Sequence, residues 1–349
     1  MRIYPGILLG LGLLLSACSS SSPTALSGTG AKEEFPSEPA LETPQATLDA
    51  ALHCTSFTHP DKPAVLLVHG TFTAGQEQYE WNYIPLLSAR GYDVCAVTYP
   101  DRGLGDQQVS AEYVVNALRR MHARSGRKVA MIGHSQGATM PRWAIKWWPS
   151  ARDAVDDFIL QAGPNHGTAI GAPATLTQEL GLGALPVGLL PAAFYQFAPA
   201  SMFVAALNAG DETPGSIDYT TIYTLTDELV EPAQPVPTAA LDWQQDNPHV
   251  RNVLIQDVCP LQITDHVTIG TTDAVAFALA LDAIEHDGPA DPVRAGGSAL
   301  CTNIPIILDP AIASAGANAL VTILQSDIAA GVPNPHLVSA EPSLKPYAQ

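Results

Sequence analysis

The chain has 349 residues, with 16 Lys or Arg against 34 Asp or Glu, a formal net charge of −18 at pH 7. So acidic a chain repels phosphate backbones, which excludes nucleic acid as a partner, and its length suits one domain with a cap rather than several independent units. His and Cys do not cluster at ligand spacing and Asp242, Asp246 and Asp257 are scattered, so no metal and no other cofactor is expected.

The first residues read as an export signal. Arg2 precedes an apolar run from Ile7 to Leu15, too short for an ordinary membrane span, and Leu15-Ser16-Ala17-Cys18 follows. That tetrapeptide resembles the lipobox of bacterial lipoproteins, whose cysteine is acylated. Residues 1–18 are therefore expected to be a lipoprotein signal peptide, with Cys18 a membrane anchor; a plain cleaved signal is the alternative. Residues 19–45, rich in Ser, Pro, Thr, Gly and Glu, read as a flexible tether, and residues 46–349 as the folded domain. The expectation is an exported protein of the bacterial cell envelope, or a secreted one, and a monomer. Cys54, Cys95, Cys259 and Cys301 remain, an even number that points to two disulfides with three pairings open.

Along the domain, apolar runs at 64–68 and 92–99 read as buried parallel strands, separated by a helix over 81–90 that Gly91 ends. A second helix over 106–124 carries an apolar stripe and ends before Gly126. Then Val129-Ala130-Met131-Ile132 leads through Gly133-His134-Ser135-Gln136-Gly137 into an amphipathic stretch, 138–148: strand, sharp turn, helix, with a serine at the apex. Further strands are expected at 158–162, 219–225 and 250–258, and a helix at 272–285. This alternation predicts an α/β fold, a mostly parallel sheet covered by helices on both faces, with ligands at the carboxyl ends of the strands. Residues 180–210 carry no charge, and Pro186, Pro191 and Pro199 argue against a membrane helix. They read as short helices of an apolar cap spanning about 164–215.

A serine hydroxyl needs a histidine to take its proton, and that histidine needs a carboxylate to hold its tautomer. With Ser135 as nucleophile, the candidate bases downstream are His166, His249, His266, His286 and His336. His266 lies in the loop between the last strand and the helix from 272, the place such a base occupies. Asp227 follows a strand directly, with Glu228, Glu231 and Asp265 as competing acids. The backbone N–H groups of Gln136 and of Thr71, in the loop after the first buried strand, are the candidate oxyanion donors. His69 reads as structural.

These motifs, with 65–87, Leu225-Thr226-Asp227-Glu228-Leu229-Val230-Glu231-Pro232, Val258-Cys259-Pro260-Leu261 through Asp265-His266, and Pro346-Tyr347-Ala348, resemble the Candida antarctica lipase B family and its bacterial relatives within the α/β-hydrolase superfamily. The resemblance covers nearly all of the chain from Gln45 onward and implies Ser135, Asp227 and His266 as the triad, Thr71 and Gln136 as the oxyanion hole, and disulfides Cys54–Cys95 and Cys259–Cys301. There are departures. His134 stands where that family has a pocket-lining tryptophan, so His134 is expected to make the alcohol side of the substrate pocket more polar. The sequence ends at Gln349 without that family's third disulfide, and 163–168 reads like the corresponding loop of bacterial lipases.

The expectation is thus a serine carboxylic ester hydrolase with lipase-like character, acting through an acyl-enzyme on lipids or other esters with apolar acyl chains. A hydrolase of polyesters, phospholipids or small esters, an acyltransferase, or a catalytically silent surface-binding lipoprotein are the alternatives.

Overall fold

A computed structural model describes residues 24–25, 37–168, 189–302 and 337–349. Cys18, most of the proposed tether, part of the proposed cap and His336 lie outside the described residues.

The strands are β1 (Thr24–Ala25), β2 (Leu52–Cys54), β3 (Ala64–Val68), β4 (Val94–Val97), β5 (Val129–His134), β6 (Val155–Gln161), β7 (Leu190–Pro191), β8 (Asp218–Tyr223), β9 (Val250–Leu254) and β10 (Leu337–Val338). Eight of them form one sheet in the order β1-β2-β4-β3-β5-β6-β8-β9. From β4 to β9 every pairing is parallel, whereas β2 runs antiparallel to β4. Cys54 faces Cys95 in that antiparallel register and the two are bonded, as are Cys259 and Cys301. Both pairings agree with those the resemblance implies.

The central strands are buried from end to end, and the pleat splits their side chains between two cores. Leu66, Val68 and Met131 join Trp143 and Trp148 on one face, while Val65, Leu67, Ala130 and Ile132 join Tyr79, Tyr83 and Phe277 on the other. Three long helices cover these faces. Helix α1 (Gln107–Ser125) starts at Asp106, whose side chain accepts from the Gln108 N–H at 3.0 Å, and stops at Gly126 in the left-handed conformation, φ 67°. Helix α2 (Gln136–Trp147) follows β5 without a spacer beyond Ser135, and α3 (Ala274–Glu285) opens at Asp273, whose side chain accepts from the Ala276 N–H at 2.8 Å.

Three expectations shift. The strand expected over 250–258 ends at Leu254, and Ile255–Val258 turns into a helix that carries Cys259 toward its partner. The helix expected from 138 begins at Gln136, directly after the serine, whose side chain makes no capping bond to it. The end of the proposed tether is held on the domain: Trp148 Nε1 donates to Pro39 O at 2.8 Å, and Thr43 N to the Glu112 carboxylate at 2.7 Å. Within the proposed cap, the helix Met202–Asn208 buries Phe203, Val204 and Leu207 in the main core, Phe203 stacking on Trp143 at 4.5 Å.

Candidate active site

Ser135, the Asp227 loop, the His266 loop and the Thr71 loop follow β5, β8, β9 and β3, all at the carboxyl ends of parallel strands. Ser135 has φ 57° and ψ −124°, a conformation that side chains rarely adopt. The flanking glycines make it possible. A Cβ on Gly133 would sit 1.9 Å from the Gly137 carbonyl oxygen, and one on Gly137 would sit 2.2 Å from the Val68 carbonyl oxygen. Neither clash is with a movable side chain, so strand, turn and helix close this tightly only around two glycines.

Ser135 Oγ lies 2.8 Å from His266 Nε2, and His266 Nδ1 lies 3.0 and 3.1 Å from the two Asp227 oxygens. The Asp227 carboxylate also accepts the Leu229 and Val230 N–H groups, at 2.9 and 2.8 Å. Burial alone would favour its neutral form, but His266 and these donors hold it below the usual carboxylate range. For His266, burial disfavours the charged ring, yet the charge and hydrogen bond of Asp227, with Glu228 and Asp265 adding to them, raise its pKa above the ordinary value.

The other candidates lie elsewhere. Glu228 accepts the His266 backbone N–H at 3.0 Å, and exposed Asp265 caps the helical turn His266–Ile269 through the Thr268 N–H at 2.7 Å. Glu231 donates its backbone N–H to Thr168 Oγ1. His166 pairs with Glu212, His249 with Asp218, and His286 binds the Asp282 carbonyl. His69 is buried and stacked on Tyr99, and its Nδ1 donates to Gly70 O at 2.7 Å, a structural arrangement. Among the described residues no group of three or more His, Cys, Asp or Glu is placed to hold a metal ion.

The Gln136 N–H heads α2, where a helix has no internal acceptor to offer it. Its side chain donates to Gly103 O at 2.8 Å and accepts from Thr71 Oγ1 at 3.4 Å, tying the two candidate donor residues together. Behind them, Phe72 takes φ 68° and donates its N–H to Arg102 O at 2.7 Å, while Arg102 grips Glu77 through both guanidinium nitrogens. His134, expected to line the alcohol side, turns both ring nitrogens to protein partners: Nδ1 to Gln78 at 3.0 Å and Nε2 to the His266 carbonyl at 2.7 Å. Both ring nitrogens are thus engaged by protein partners.

Sequence reasoning missed Gln78, which is 1% exposed although it lies in the polar run Gly75-Gln76-Glu77-Gln78. It also missed Thr226, whose hydroxyl joins the acid loop to the histidine loop through Thr264 O at 2.7 Å.

The α/β hydrolase family profile matches residues 65–323. The chain belongs to the α/β hydrolase family. Among hydrolases of this family, lipase B of Pseudozyma antarctica is 30% identical over 348 residues, covering 98% of this chain and 94% of its own. The crystal structure of Aspergillus fumigatus lipase B superposes with a TM-score of 0.78 at 28% identity, covering 94% of this chain and 77% of that one. The resemblance seen in the sequence therefore holds over nearly the whole hydrolase chain, with lipase homologues on both counts.

Proposed function

We propose that this hydrolase is a serine carboxylic ester hydrolase with lipase-like character. The observation that carries the reading is the unbroken chain from Ser135 Oγ through His266 to Asp227, with steps of 2.8, 3.0 and 3.1 Å. In the reaction, His266 takes the Ser135 proton as Oγ attacks the ester carbonyl. The oxyanion that forms is met by the backbone N–H groups of Gln136 and Thr71. His266 then returns the proton to the departing alkoxide, leaving an acyl-serine. Water, activated by His266 in the same way, releases the acid.

Lipase homologues support an apolar acyl group, and so do the loops that carry the acid and the base. Leu261 is 95% exposed, Ile263 84% and Leu225 45%, large apolar side chains left in solvent on the same loops as Asp227 and His266. Each methylene buried contributes up to about 0.8 kcal/mol, so kcat/KM should rise from acetyl toward medium-chain esters. A series of p-nitrophenyl esters, run beside triglyceride emulsions, tests this; a preference for acetyl would make it a small-ester esterase.

Export is the companion reading. Disulfides Cys54–Cys95 and Cys259–Cys301 fit an oxidising compartment, and Leu15-Ser16-Ala17-Cys18 motivates a lipid anchor at Cys18. Mass spectrometry of the membrane-extracted protein should find an acylated N-terminal Cys18, and Cys18→Ser should release the protein or block its processing.

A further inference from the structure

We propose that Gln78 and His134 are a positioning pair that holds the His266 turn in register with the oxyanion loop. The proposal rests on the ester-hydrolase reading above and concerns a part of the site that reading does not use. The chain of donors is continuous. Gly70 N–H donates to Gln78 Oε1 at 2.9 Å, and Thr73 Oγ1 donates to the same oxygen at 3.0 Å. With that oxygen so occupied, the Gln78 amide is oriented, and its NH2 faces His134 Nδ1 at 3.0 Å. Nδ1 must then be the lone-pair nitrogen. Nε2 carries the hydrogen and donates to the His266 carbonyl at 2.7 Å, a neutral tautomer that matches the burial of the ring.

Sterics agree. The ring is wedged between two glycines: a Cβ on Gly70 would lie 3.2 Å from His134 Nδ1, and one on Gly270 would lie 2.1 Å from His134 Cδ2. Gly70 begins the loop that presents Thr71, and Gly270 closes the turn His266–Ile269. Asp227 fixes the His266 imidazole at Nδ1, whereas His134 fixes the backbone from which that imidazole hangs. The buried relay Gln78–His134, which joins Gly70 N–H to His266 C=O, sets the distance between the loop that presents the oxyanion donor and the base that moves the proton.

The test compares His134→Phe, which keeps the ring but not the nitrogens, with His134→Gln, which restores a donor near the Nε2 position, and with Gln78→Met. In wild type, 15N NMR should show His134 protonated at Nε2 and unprotonated at Nδ1. His134→Phe should lower kcat by about ten- to a hundredfold with KM little changed, the size of effect that a displaced catalytic group produces. The loss should be equal for esters of methanol and of bulky secondary alcohols. His134→Gln should lie closer to wild type than to His134→Phe, and Gln78→Met should lower kcat in the same direction. An unchanged kcat in folded His134→Phe and Gln78→Met overturns the proposal, as does a change confined to alcohol preference, which would make His134 a pocket residue. If His134→Phe does not fold, Gln78→Met and the His134 tautomer decide the matter alone. Wild-type protein that hydrolyses no ester would instead contradict the functional reading, leaving the tautomer measurement to judge the pair.

Discussion

His266 and Asp227 meet through both carboxylate oxygens, at 3.0 and 3.1 Å from one ring nitrogen, at a site where both side chains are buried. The pair fixes the direction of the pH profile. In the proposed mechanism His266 acts as a base only when neutral, and Asp227 raises its pKa above the ordinary histidine value of about 6.5. Activity should therefore be full above that raised pKa and be lost as pH falls through it, so the acidic limb of kcat/KM should lie above pH ~6.5. Asp227→Asn should lower kcat about 10⁴-fold, whereas Asp265→Asn, at an exposed cap, should be mild. Equal damage from the two would move the acid role to Asp265.

The backbone of Ser135 is strained. At φ 57° and ψ −124° a glycine is at ease and a serine is not, a difference of about 1–3 kcal/mol. Ser135→Gly should abolish turnover and raise the melting temperature, while Ser135→Ala should abolish turnover without that gain. Calorimetry of the two variants checks this; a lower Tm in Ser135→Gly would mean that the turn carries no strain.

Gly133→Ala should fail for a different reason. Its Cβ would lie 1.9 Å from a backbone oxygen of Gly137, and backbone cannot move aside as a side chain does. We expect little folded protein, or a displaced serine with activity at background. Folded protein with normal activity would contradict the tight elbow.

Asp157, near the start of β6, whose far end at Gln161 is the one paired with His134, offers a test of stability alone. Burial, then repulsion from Asp156 and Asp218, push its pKa up to about 8. The sign follows from linkage: the folded state keeps a proton that the unfolded chain releases near pH ~4, so stability falls as pH rises from there to about 8. Asp157→Asn should remove that loss and raise Tm at pH 8 more than at pH 5. A tenfold change in proton affinity corresponds to about 1.4 kcal/mol, or roughly 2 °C at this chain length. An equal Tm change at both pH values would show that Asp157 is already ionised in the folded state.

Much of the sheet and of the site is legible in the sequence, because each rests on a local signal. The elbow is written in Gly133 and Gly137, the helix end in Gly126, and the order of Ser135, Asp227 and His266 follows the order of the strands that deliver them. What is not legible is contact between loops. Gln78 sits in a polar run that reads as surface, and only the fold brings it under Gly70 and against His134, 56 residues away. The substitution of His134 for a tryptophan suggested a more polar pocket, and nothing in the sequence signals that both ring nitrogens bond to Gln78 and to the His266 carbonyl. The strand expected past Leu254 failed because an apolar run does not record where the chain bends, and Ile255 fills the core as well from a helix as from a strand.

The central claim, that Ser135 is a nucleophile activated by His266, is tested most directly by covalent trapping. A p-nitrophenyl alkylphosphonate should release one equivalent of nitrophenol, leave the phosphonyl group on the Ser135 peptide in the mass spectrum, and react far more slowly with His266→Ala. Label on another residue, or an equal labelling rate in His266→Ala, would contradict the account.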